Sequence, residues 1–66
     1  MKHALTEYRE RHGLTLQEFG SRIGVGKAAV WKWEAGSLPR KEMLVRIVEA
    51  TGGEVTLADF IAVSAA

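Results

Sequence analysis

The chain has 66 residues, 47% of them hydrophobic and 26% charged, with no cysteine and a net charge of +1. These values exclude a disordered segment, a disulfide-stapled scaffold and a membrane span of about 18 apolar residues, and they leave room for one domain over residues 1–66. The first residues lead directly into a charged stretch unlike a signal peptide, so we expect a cytoplasmic protein. His3 and His12 have no third ligand at a metal-binding spacing, so we expect both on the surface, and no metal or cofactor.

The sequence predicts an all-α fold of five helices, with a strand conceivable only around Val55. The first helix covers about residues 3–12. Leu5 and Tyr8 recur there at helical spacing, and Gly13 is placed to end the helix.

A capping box marks the start of the second helix. The Thr15 hydroxyl can accept a hydrogen bond from the Glu18 amide, while the Glu18 carboxylate accepts one from the Thr15 amide. The helix then runs to about Ile23. One of its faces carries apolar and small residues, namely Leu16, Phe19, Gly20 and Ile23.

The third helix follows after residues 24–26, a segment too short for anything but a turn. This helix covers residues 27–35, with Val30 and Trp33 at the spacing of a buried face. Gly36 is placed to end it.

Two further helices complete the chain. Pro39 lies where the fourth helix begins, at a first-turn position that proline tolerates, and the helix continues to about Ala50. Thr56 and Asp59 repeat the spacing of a capping residue and an acidic residue, so they open a short fifth helix. The residues expected in the core are Leu5, Tyr8, Phe19, Ile23, Val25, Val30, Trp33, Leu44, Ile47 and Phe60.

Residues 16–35 meet the physical demands of a helix-turn-helix unit. Gly20 lies where the second and third helices cross, and a mid-helix glycine costs about 1 kcal/mol relative to alanine, so its presence indicates close packing. Gly24 can supply the positive φ that turns the chain. A generic pair of helices in a small bundle is the alternative.

Positive charge is concentrated in the middle of the chain. Residues 20–41 carry five basic residues against one acidic, residues 1–19 three against three, and residues 42–66 one against four. This distribution is typical of a face directed at a polyanion, although solvated charges can also cluster by chance. Together with the two glycines, it favours a unit whose third helix enters the major groove of DNA.

The third helix presents four side chains on the face opposite its buried residues. Lysine can donate to guanine O6 and N7, and a small apolar side chain can contact a thymine methyl group, although lysines that meet only phosphate are the alternative. A tryptophan is expensive to leave in water, so we expect it against DNA, with a dimer contact or packing on residues 37–38 as the alternative. The predicted base contacts are Lys27, Ala28, Trp31 and Lys32.

Several segments resemble the lambda-repressor/Cro-like helix-turn-helix family, and the last of them is similar to small phage Cro proteins and YdaS-type antitoxins. The resemblance covers about residues 4–61 and implies a five-helix domain whose third helix reads bases and whose dimers bind palindromic operators. The segments are LTLQEFG at 14–20, IGV at 23–25, VWKWEAG at 30–36 and ATGGEVT at 50–56.

The resemblance also implies roles for single residues. Arg9 at the end of the first helix should form an ion pair with Glu34 of the third. Gly26 and Leu16 stand where the family commonly has serine or threonine and glutamine, so their side chains are poorer phosphate ligands. Thr15 heads a helix whose free amides can hold a phosphate. The predicted phosphate contacts are Thr15, Gln17, Gly26, Ser37, Arg40 and Lys41.

The sequence therefore predicts sequence-specific binding to double-stranded DNA by a Cro-like transcriptional repressor of phage or bacterial origin, located in the nucleoid. No catalytic grouping is recognisable, so we expect neither an enzyme nor a small-molecule ligand. We expect a symmetric homodimer on a pseudo-palindromic operator, with the contact near the tail. The alternative function is an antitoxin or other protein-interaction module. An apolar tail favours that alternative, namely Leu57, Phe60, Ile61 and Val63.

Overall fold

Helices account for all the regular structure in the computed structural model, which describes the backbone of residues 2–65 and the side chains of residues 2–61. No strand occurs within residues 2–65, so the predicted all-α fold is confirmed. None of the described helices has the length and apolar character needed to cross a bilayer. The helices are α1 (Ala4–Arg11), α2 (Leu16–Ile23), α3 (Lys27–Glu34), α4 (Lys41–Ala50) and α5 (Leu57–Ala65).

The start of α4 differs from the prediction. Pro39 does not occupy the first turn of the helix. It is buried and precedes Arg40, the N-cap, whose backbone is extended with φ −65° and ψ 157°. The restricted φ of proline suits an extended segment as well as a first helical turn, so its position alone did not decide between them.

The core lies between the helices and contains eight of the ten residues predicted for it. The other two, Val25 and Leu44, are half-buried and pack against the core. Val55, where a strand was conceivable, lies in a bend and is almost fully buried. The Thr51 hydroxyl positions it by accepting a hydrogen bond from the Val55 amide (3.2 Å) while donating to the Ile47 carbonyl (2.8 Å).

His3 is buried, which corrects the expectation of a surface histidine. Its side chain is only 6% exposed, caps α1 by accepting a hydrogen bond at Nδ1 from the Leu5 amide (3.0 Å), and packs on the Phe60 ring at a centroid distance of 4.7 Å. The accepting Nδ1 places the proton of the neutral ring on Nε2, which has no hydrogen-bond partner among the described residues. Burial lowers the pKa of His3, although the carboxylates of Asp59 and Glu34 oppose that shift.

The turn between α2 and α3 is bound to the end of α2. Gly24 has the left-handed φ of 82°, and both its amide and that of Val25 donate to the Gly20 carbonyl, the latter at 2.9 Å. A Cβ at Gly20 would lie 2.6 Å from the Val25 carbonyl oxygen. From α4, Arg46 Nη1 donates to the Ile23 carbonyl at 3.2 Å and satisfies another group at the end of α2.

Gly20→Ala should therefore lower the free energy of unfolding by about 1–3 kcal/mol, because the added methyl group meets backbone that cannot rotate away. Urea unfolding of the two proteins measures the change. Gly26→Ser is the matched control, because it adds the same Cβ where nothing lies within 4 Å and supplies a capping hydroxyl to α3. It should leave stability unchanged or higher. A Gly20→Ala protein as stable as the parent would contradict the close approach.

Candidate nucleic-acid interface

The helix α3 separates its side chains into a buried face and an exposed face. Val30 and Trp33 are buried against the core, with 0% and 7% of their surface exposed. The side chains predicted to contact bases lie on the opposite face, and all of them are exposed. They are Lys27, Ala28, Trp31 and Lys32.

Trp31 is 61% exposed, so the described part of the chain covers less than half of its surface. Its surroundings are Lys27 and Ala28 of its own helix and Leu16 at the start of α2, which together line a shallow depression. The sequence places Leu16 on the apolar face of α2 and marks it as a departure from the family pattern, but it does not predict a contact with Trp31. The signal that could have identified Leu16 is its position as the first residue of α2, directly after the N-cap Thr15. Only the packing of α2 against α3 brings it beside Trp31.

An ion pair between α1 and α3 fixes the orientation of the exposed face. Arg9 meets Glu34 through two hydrogen bonds, from Nε to Oε2 (2.7 Å) and from Nη2 to Oε1 (2.9 Å). This is the pair that the resemblance implies. Arg9 also donates to the Leu14 carbonyl (3.0 Å), and the Thr6 hydroxyl donates to Glu34 (2.8 Å). The pair is partly buried, since the two side chains are 15% and 11% exposed.

Both members of the pair are held in their charged forms. Burial opposes ionisation of Glu34, but the hydrogen bonds from Arg9 and Thr6 and the positive charge of Arg9 outweigh it and lower the pKa of Glu34. The hydrogen bonds to Glu34 raise the pKa of Arg9. The acidic side chain of α3 is thus neutralised on the inner side of the helix. The charged side chains on the exposed face are therefore both lysines, Lys27 and Lys32.

Three predicted phosphate contacts lie at helix starts near the exposed face of α3. The Thr15 hydroxyl accepts a hydrogen bond from the Glu18 amide (3.0 Å) and the Thr15 amide donates to the Glu18 carboxylate (2.9 Å), so the predicted capping box is present. Gln17 is exposed in the first turn of the same helix. Gly26 is the N-cap of α3 and leaves that helix start without a side-chain cap.

The other three predicted phosphate contacts lie further along the chain. Ser37 is exposed in the segment between α3 and α4, and Arg40 is the exposed N-cap of α4. Lys41, the first residue of α4, is exposed and borders an apolar groove on α4 and α5.

Titratable groups elsewhere in the described chain form no metal site. No cluster of three or more histidine, aspartate or glutamate side chains in residues 2–61 is arranged to bind an ion. His12 lies 3.7 Å from Glu54, whose carboxylate also accepts a hydrogen bond from Arg11 at 2.7 Å. These groups are exposed, and they connect the end of α1 to the segment before α5.

Comparison with known proteins identifies a family. The family described as helix-turn-helix matches residues 5–60, most of the chain. No curated protein and no solved structure is a significant match.

Glu34→Gln should lower the free energy of unfolding by about 1–3 kcal/mol near neutral pH, because Arg9 then keeps a partly buried charge without a counter-charge. The lowered pKa of Glu34 means that its stabilisation is present above ~pH 4.3, the ordinary value in an unfolded chain, and is lost as the pH falls through the folded pKa. Thermal unfolding from about pH 7 to about pH 3 should therefore show the two proteins converging.

Glu10→Gln is the control for this comparison. Glu10 forms an exposed ion pair with Lys2, and its loss should change stability by less than about 1 kcal/mol. The depressed pKa of the buried His3 also removes stability on acidification below ~pH 6.5, equally in the parent and in Glu10→Gln, and somewhat more in Glu34→Gln, which lacks the carboxylate that opposes the His3 shift. A stability gap between parent and Glu34→Gln that persists in acid would contradict the role assigned to the carboxylate.

Proposed function

The chain belongs to the lambda-repressor/Cro-like helix-turn-helix family of DNA-binding regulators, and on that premise we propose that it is a sequence-specific transcriptional repressor of phage or bacterial origin. It acts on double-stranded DNA as a single domain in the nucleoid. The exposed face of α3 enters the major groove. The observation that carries the proposal is this face, on which two lysines stand with a 61% exposed tryptophan, while Glu34, the acidic residue of α3, pairs with Arg9.

The basic residues divide into two groups by position. Lys27 and Lys32 lie on the exposed face of α3, about one turn apart, where they can reach base edges on the groove floor. Arg40 lies beyond the segment that follows α3, where it can meet the DNA backbone, and Ser37 lies in that same segment. The helix starts at Thr15 and Gly26 direct backbone amides outward, where a phosphate can accept from them.

Replacing a base-reading lysine should weaken binding to the cognate duplex by about 1–3 kcal/mol and relax the preference at one base position. We expect this of Lys27→Gln or Lys32→Gln. Arg40→Gln should instead weaken binding to cognate and random duplexes alike. It should also lower the slope of the logarithm of the binding constant against the logarithm of the salt concentration by about one, the amount expected for one lost phosphate contact. The measurement is a salt titration of binding to a duplex selected from a random pool.

The matched control is Arg11→Gln, which also removes one positive charge. Arg11 lies at the C-terminal end of α1, and its guanidinium group is already paired with the Glu54 carboxylate. It should leave both the affinity and the salt slope near the parent values. If Lys27→Gln and Lys32→Gln both weaken all duplexes equally, the lysines do not read bases. Binding that does not respond to salt at all would contradict the proposed function itself.

A homodimer on a pseudo-palindromic operator is the second part of the proposal, with the two α3 helices about 34 Å apart in successive major grooves. Its support is an apolar groove, the α4–α5 groove, whose lining includes the exposed Val45 and Leu57; Ile61 of α5 is also exposed. Phe60 is 1% exposed, which removes it from the predicted contact, and the side chain of Val63 lies outside the described residues. The groove is lined by Lys41, Leu44, Val45, Val48, Glu49 and Leu57.

The charges at the groove are self-complementary. Lys41 and Glu49 lie four residues before and four residues after Val45 on the same helix. A two-fold axis passing near Val45 would therefore set Lys41 against Glu49 of the partner subunit, and the reverse pair would form by symmetry. Two apolar grooves would then bury each other between two ion pairs.

Val45→Gln should weaken cooperative binding to the full operator by roughly tenfold, because a polar side chain replaces a valine at the centre of the contact. Affinity for an isolated half-site should not change, and glutamine is a good helix former, so α4 should remain stable. Titration of one-half-site and two-half-site duplexes measures both quantities. Glu42→Gln, an exposed change on the same helix outside the groove, should keep the cooperativity.

An antitoxin whose main partner is another protein remains the second candidate function, and the same groove favours it. The two candidates differ in which surface carries the affinity. A repressor should lose DNA binding when the lysines of α3 are replaced. An antitoxin should lose its protein partner when Val45 is replaced, and it should keep that partner in high salt because the contact is apolar.

A further inference from the structure

The exposed face of α3 contains an apolar site between its lysines. Ala28 and Trp31 of α3 meet Leu16 of α2 around a shallow depression, and Lys27 borders it. We call the set Leu16, Ala28 and Trp31 the apolar patch. Trp31 supplies most of its surface, and Leu16 is held in place because its other side packs against the core.

We propose that the apolar patch recognises the C5 methyl group of thymine in the major groove, an inference that rests on the proposed function. Among the unmodified bases, thymine alone presents an apolar group on the major-groove edge, while the other positions there are hydrogen-bond donors and acceptors. The patch has no polar side chain to pair with those donors and acceptors. Its chemistry therefore suits a methyl group and disfavours cytosine, which places a donor at the adjacent position.

The charges around the patch select DNA over an apolar protein partner as its occupant. Lys27 borders the patch, and Lys32 follows Trp31 on the exposed face of the helix. Glu34, the acidic residue of α3, is paired with Arg9 on the inner side. An apolar patch that Lys27 borders and whose lining contains no carboxylate is complementary to a methyl group that lies between phosphates and base acceptors.

The position of the patch on two helices makes it a specificity site as well as a contact. Leu16 directly follows the capping box at the start of α2, and the backbone at Trp31 is fixed by the packing of Val30 and Trp33 on the core. If the Trp31 indole ring contacted only deoxyribose, it would bind every base sequence equally. A ring held beside Leu16 forms a shaped contact, and a shaped contact discriminates between bases with and without a methyl group.

The test replaces single thymines with deoxyuridine in the selected duplex. Deoxyuridine lacks only the C5 methyl group and keeps the hydrogen-bonding edge of thymine. At one or two positions in each half-site the affinity should fall by about fourfold for each methyl removed, the size expected for burying one such group. At the same positions 5-methylcytosine should bind about fourfold better than cytosine, since it regains the methyl.

Trp31→Ala identifies the residue responsible. Trp31 is mostly exposed, so the variant should unfold at the parent temperature, and it should bind thymine and deoxyuridine duplexes equally. Lys32→Gln is the matched control on the same face, which should weaken both duplexes alike and keep the fourfold discrimination.

Each remaining outcome overturns a different statement. If deoxyuridine is neutral at every position while salt-dependent DNA binding persists, the apolar patch does not read thymine, and the proposed function stands. If discrimination survives in Trp31→Ala, the methyl group is read elsewhere and the inference is wrong. If no duplex binds in a salt-dependent way, the proposed function fails, and the inference fails with it.

Discussion

The close approach of the α2–α3 turn to Gly20 of α2 is the constraint on which the exposed surface depends. A Cβ there would lie 2.6 Å from the Val25 carbonyl oxygen, and the Val25 amide in turn donates to the Gly20 carbonyl at 2.9 Å. The turn is therefore bound to the end of α2 rather than merely connecting it to α3. Because the helices cross so closely, Leu16 and Trp31 become neighbours although fifteen positions separate them in the chain. A wider crossing would separate the two halves of the apolar patch.

The ion pair between Arg9 and Glu34 solves an electrostatic problem as well as a packing problem. A carboxylate on a DNA-facing helix repels phosphate, yet an uncompensated buried carboxylate is costly. Here Glu34 is turned inward and satisfied by Arg9 and by the Thr6 hydroxyl, with donor–acceptor distances of 2.7–2.9 Å. The same contacts that attach α1 to α3 thus remove negative charge from the exposed face. Stability and charge pattern depend on one pair of residues.

Charge also separates the two surfaces that we assign to DNA and to a second copy of the chain. The exposed face of α3 belongs to the basic middle third, whereas the α4–α5 groove lies in the C-terminal third, where four acidic residues accompany a single basic one. DNA attracts the first surface and repels the surroundings of the second. On the proposed function, this arrangement leaves the groove free for a protein partner while the lysines of α3 face the duplex.

By itself the sequence determined the local structure, because caps, turns and helical periodicity depend on residues close together in the chain. The capping box at Thr15 and the left-handed turn at Gly24 are both present, and most of the predicted core is buried. Only the tertiary structure decided which side chains meet across helices. It buried His3 against Phe60, which the sequence had placed both in the core and in the apolar tail, and it placed Leu16 beside the exposed tryptophan of α3. The physical reason is that a short pattern specifies which face of a helix is apolar, whereas the partner of that face depends on how all the helices pack together.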